Sequence, residues 1–123
     1  MEVVRVLGAG PQAPGEARRS LHALAGAVSP RQLDDLRLVV SELVTNSVVH
    51  AGLTRGEPIT VSVRVFPHRV RVEVVYYGAG FPQGPPDPDH HGCGLPMVER
   101  LADRWGTERG VETKVWAEFM LPA

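Results

Sequence analysis

The sequence predicts an α+β fold: a two-layer α/β sandwich in which helices pack on one face of a mixed, mostly antiparallel sheet. Three observations carry this. A long apolar-patterned segment begins at a helix-start signal at Ser29. Two valine-rich segments, ITVSVRVF and VRVEVVY, alternate at period two across a three-residue break. A further pair of strand-like segments turns at Gly110 near the end of the chain.

Taken in order, residues 2–7 have the β-branched content of a short strand, and the GAGPQAPG that follows breaks it. Residues 16–28 read as a helix. Ser29-Pro30-Arg31-Gln32 has the form of a capping box with proline at the first helical position, so a second helix starts at Ser29 and runs to about His50. Ala51-Gly52 ends it. Residues 59–66 and 70–76 read as an antiparallel hairpin around Pro67-His68-Arg69. Val61, Val63 and Val65 share one strand face, and Val70, Val72, Val74 and Tyr76 share another. Residues 78–94, GAGFPQGPPDPDHHGCG, are too rich in Gly and Pro for regular structure and have the length of a lid or binding loop. A short helix over 95–102, with Pro96 in its first turn, and strands over 105–109 and 111–121 complete the order βααββ-lid-αββ.

The chain of 123 residues has the length of a single domain, with no internal repeat and no composition break. Thirteen basic against fourteen acidic residues, with no run of one sign, exclude the electrostatic footprint of a nucleic-acid or membrane-surface binder. No apolar stretch approaches the roughly 18 residues of a membrane span, and no leader pattern is present, so a cytoplasmic location is expected. The single cysteine, Cys93, agrees with a reducing compartment.

On the second helix, Leu33, Leu36, Val40, Leu43 and Val44 form one apolar arc that should face the sheet. Glu42, Asn46 and His50 fall at i, i+4 and i+8 on a separate stripe, among Leu38, Val39 and Val49. A solvated helix face explains such a stripe as well as a site does. In a partly apolar pocket, however, the carboxylate can accept a proton from a hydroxyl and the carboxamide oxygen can ligate Mg²⁺. Gly78-Ala-Gly80 follows a strand, and Gly92-Cys-Gly94-Leu95 opens a helix, where free N–H groups favour phosphate. Asp87, Asp89, His90, His91 and Cys93 lack zinc-like spacing and read as solvated loop residues. Arg18 and Arg19 on the first helix are a solvated charge pair or a docking point for a partner.

The order E-L-V-T-N, G-x-G-F, lid, G-x-G-L and a Thr before a V-W strand resembles the GHKL (Bergerat-fold) ATP-binding domain. Within that group the chain is similar to the short bacterial anti-sigma factor serine kinases, from about residue 14 to residue 121. The resemblance implies ATP and Mg²⁺ as cofactors, Glu42 as general base and Asn46 as the Mg²⁺ ligand. Gly78 and Gly80 would line the adenine side, while Gly92, Gly94 and Leu95 would bring the lid backbone around the phosphates. Thr113 would support the nucleotide from its strand. The implied partners are a sigma factor and an antagonist protein whose serine accepts the phosphoryl group; a homodimer is compatible with this reading.

The resemblance leaves two function classes open: an ATP-dependent protein serine kinase, or a binding module that keeps the fold and regulates by sequestration with nucleotide binding impaired. VVYYGAGF separates them. Family members show Asp-x-Gly-x-Gly there, with the aspartate accepting a hydrogen bond from the adenine amino group, and this sequence has Tyr76 at that position.

Overall fold

Local signals place the main helix. In the computed structural model, which describes residues 1–77 and 95–122, the hydroxyl of Ser29 accepts from the Gln32 N–H at 3.1 Å. The Ser29 N–H in turn donates to Gln32 Oε1 at 2.8 Å. This reciprocal cap starts α2 (Pro30–His50) with proline in its first turn. Gly52, at φ +68°, takes the left-handed conformation that turns the chain away just past the helix end.

The five strands are β1 (Glu2–Gly8), β2 (Pro58–Val65), β3 (Arg69–Tyr76), β4 (Arg104–Arg109) and β5 (Thr113–Met120). They form one sheet in the order β1-β2-β3-β5-β4, and every pairing is antiparallel. The parallel component anticipated for a mixed sheet is thus absent among the described strands. Opposed pairs such as Val61 with Val74, Val63 with Val72, Val72 with Ala117 and Val74 with Val115 put the valine faces of β2 and β3 on one side of the sheet. That side is buried beneath the helices.

Two elements differ from expectation. The first helix, α1 (Ala13–Ser20), starts earlier than residue 16 because Pro14 is accommodated in its first turn. It then tightens into a 3₁₀ turn over Leu21–Leu24 and does not run to residue 28. Gly26, at φ +89°, belongs to a backbone that cannot be helical. Ala13, Ala17, Leu21 and Leu24 still form one fully buried stripe through the change of pitch. The strand β5 begins at Thr113, not residue 111, because the Gly110 N–H bonds back to the Glu112 carbonyl in a tight turn.

The apolar arc of α2 lies against the sheet as expected, with Leu36, Val40, Leu43 and Val44 essentially inaccessible; each such burial contributes roughly 1.5–3 kcal/mol. The helix runs alongside β3. Leu36 lines a small cavity with Val70 near the start of both elements, and Ser47 meets Tyr76 near their ends. The third helix, α3 (Leu95–Leu101), packs against α2 and buries Val98. Residues 78–94, with Gly78, Gly80, Gly92 and Gly94, lie outside the described residues. No described helix is long and apolar enough to cross a membrane.

The opposite face of the sheet carries charge and one indole. Trp116 lies over Gly106 of the neighbouring strand, where a Cβ would come within 2.9 Å of the ring. The Arg71 guanidinium covers the same ring at 4.6 Å.

Candidate functional site

The C-terminal half of α2, the end of β3 and the start of β5 meet at one end of the sandwich. Asn46, the candidate metal ligand, is 1% exposed, and neither its amide nitrogen nor its oxygen has a hydrogen-bond partner among the described residues. It does not lie on a separate half-exposed stripe. It shares the covered side of α2 with Val39 and Leu43, both fully buried, whereas Leu38 and Val49 face outward. The helix is covered from more directions than a single-face pattern allows, because α1 and α3 pack on it as well as the sheet.

Glu42, one turn earlier, is half-buried. Thr113 is buried at 4% and is the register partner of Tyr76 across β3 and β5. His50 and Leu95 bound their helices, and the structure gives no account of their side chains. Asn46, Tyr76 and Thr113 are therefore gathered at one end with Glu42 beside them, while the four glycines of the sequence reading fall outside the described residues.

Tyr76 is the largest fully buried side chain among the described residues, at 1% exposure. Strand alternation aims it inward with Val72 and Val74, between Ile59 of β2 and Thr113 of β5. Its hydroxyl engages the side chain of Ser47. Burial pushes the phenol up to about 12, against the opposing pull of the Ser47 hydrogen bond and the Arg109 guanidinium. The group is therefore neutral at any physiological pH.

Ser47 is the residue that the sequence reading missed. Its hydroxyl donates to the Leu43 carbonyl at 2.9 Å, the usual outlet for a serine inside a helix. Its signal was present: a polar residue at i+4 from Leu43 and i+7 from Val40, squarely within the apolar arc.

Along the other side of α2, Arg18 and Arg19 of α1 line an open groove together with His22 and Arg37. Arg18 Nη1 donates to Ser41 Oγ at 2.7 Å, which ties α1 to α2 beside the groove. Arg37 has Asp34 at 3.7 Å. His22 and Arg37 join the arginine pair only through the packing of α1 on α2, which one-dimensional reading does not reveal.

This architecture and the placement of α2 find a counterpart among known families. Residues 8–119 match the family described as "Histidine kinase-like ATPase domain". The chain belongs to this family. It is also 26% identical over 113 residues to an "Anti-sigma F factor" of Clostridium acetobutylicum, covering 80% of this chain and 79% of that relative.

Family membership implies a nucleotide and its metal, and the two ends of the site respond differently to that test. Asn46 fits: a buried carboxamide without a partner is what a missing cation or polar ligand leaves behind. Tyr76 does not fit an adenine amino group in the way a carboxylate would, since a neutral phenol already committed to Ser47 stands there. Among the described residues no cluster of three or more His, Cys, Asp or Glu side chains offers an alternative metal site.

Proposed function

We propose that the chain is a regulatory protein of the anti-sigma type, acting by capture of a sigma factor and of the antagonist that releases it. The observation that carries this reading is the arginine-lined groove of Arg18, Arg19, His22 and Arg37 between α1 and α2, with Arg18 hydrogen-bonded to Ser41 of α2. Such a groove suits an acidic protein segment. The similarity to an anti-sigma F factor supports the same assignment. Regulation by sequestration needs the groove and the fold, and it needs no nucleotide.

A second reading, phosphoryl transfer to a serine of the antagonist, is favoured by the unpartnered Asn46. In it Glu42 accepts the proton of the incoming hydroxyl and Asn46 holds the cation; Mg²⁺, when bound, would neutralise phosphate charge. One set of measurements separates the readings. Native gel shift or calorimetry against purified sigma factors and antagonist proteins reports capture, and γ-labelled ATP with the antagonist reports transfer. Capture that survives Glu42→Ala but drops at least about tenfold with Arg18→Glu supports sequestration through the groove. Label transfer that disappears in Glu42→Ala establishes the kinase reading. Neither capture nor transfer would remove the anti-sigma assignment altogether.

A further inference from the structure

We propose that the Tyr76 side chain is the resident occupant of the base-binding end of this site, so that the ligand-free fold already holds an aromatic ring where a nucleobase would lie. The proposal rests on the reading of the α2–β3–β5 end as a site.

Packing alone does not call for a tyrosine there. The other inward positions of β3 are Val70, Val72 and Val74, all fully buried, and a fourth apolar side chain would complete the row. A tyrosine instead brings a hydroxyl into the core, and burying a hydroxyl is unfavourable unless a partner meets it. That partner is Ser47, itself a polar residue within the apolar arc of α2. Ser47 also gives its own proton to the Leu43 carbonyl. The two side chains meet as a pair, the hydroxyl edge of a planar ring against a helix serine.

Next to Ser47 along α2 stands Asn46, both of whose amide atoms are buried and without partners among the described residues. One end of the site is thus satisfied and filled, and the other is open in hydrogen-bonding terms. A cation or small polar group can engage Asn46 with the ring in place. A planar heterocycle cannot, because it would need the space that the buried Tyr76 ring already fills. The consequence is selective: recognition of the base is lost or weakened, and the polar end is not.

Adenosine isolates the base end, since it carries no phosphate and requires no metal. Calorimetric titration of adenosine into the full chain should give no measurable heat for wild type or for Tyr76→Phe, which keeps the ring. Tyr76→Ala, or Tyr76→Val should the alanine variant fail to fold, should bind adenosine at least about tenfold more tightly than wild type. A one-dimensional proton spectrum confirms folding of whichever variant is used. Equal adenosine binding by wild type and the folded Ala or Val variant would overturn the proposal, as would tight binding by wild type that Tyr76→Phe leaves unchanged. Because no partner protein enters this assay, its result is independent of whether the chain captures a sigma factor or transfers a phosphoryl group.

Discussion

Two buried polar groups on opposite sides of the sheet are treated in opposite ways. Glu118 of β5, with its side chain 8% exposed, accepts from Arg71 at 3.2 Å and has Arg69 and Arg104 each at 3.8 Å. Arg71 is also held by Glu73 at 2.7 Å and spread over Trp116. Burial draws its guanidinium down, but the hydrogen bonds and charges of Glu73 and Glu118 outweigh that and leave it above its ordinary value. Asn46, on the helix-covered side, has none of this support among the described residues. Where a buried polar group serves the fold, its partners are supplied; where it lacks them, the fold tolerates it for another reason. The Glu118 cluster belongs to stability, and the Asn46 end is the one proposed for binding.

The comparison can be broken most forcefully at Glu118. Glu118→Ala leaves Arg71 and its neighbours without their shared carboxylate, and the loss should be about 3 kcal/mol, read as a lower urea midpoint. An effect below about 0.5 kcal/mol would mean that the cluster is a solvated surface feature. Gly106→Ala should follow at about 2 kcal/mol, because the new Cβ would lie 2.9 Å from the indole and Trp116 would have to shift with its cation stack. Quenched or shifted tryptophan emission should accompany that change.

Tyr76→Phe should cost about 1 kcal/mol near neutral pH, since it removes the buried contact between the phenol and Ser47. Its pH dependence sharpens the assignment. The folded-state value of the phenol, about 12, is raised above the ordinary 10.0. The contribution is therefore complete below pH 10 and is lost as pH rises through about 12, with a slope of up to about 1.4 kcal/mol per pH unit. Denaturation midpoints measured from pH 9 to 12 should fall more steeply for wild type than for Tyr76→Phe. Parallel curves would mean that Tyr76 ionises as freely in the fold as in the unfolded chain.

Much of this was legible in the sequence where the determinants are local. Ser29-Pro30-Arg31-Gln32 fixed the start of α2, and the three-residue break between ITVSVRVF and VRVEVVY gave the hairpin, because caps and turns depend on neighbours along the chain. Period-two alternation also aimed Tyr76 inward. Features that depend on partners distant in sequence were not readable. Glu118 and Arg71 look like ordinary solvated strand residues until β3 pairs with β5. Asn46 was grouped with the half-buried Glu42 until α1 and α3 are seen to cover α2 from further sides. The arginine groove emerged only when α1 was in place on α2. The first helix was misjudged for a local reason, the change from α to 3₁₀ pitch at Leu21, which leaves the apolar stripe intact and so gives no warning.

The central claim is that the Asn46 end is kept for binding and at no benefit to the fold. Urea denaturation of Asn46→Leu, a swap of similar size that removes both unpartnered amide atoms, tests it most directly. The midpoint should equal that of wild type or exceed it, with a gain of up to about 1 kcal/mol, because a buried amide without partners among the described residues is replaced by apolar contact. A loss approaching that of Glu118→Ala would contradict it and would show that Asn46, like Glu118, belongs to the structure.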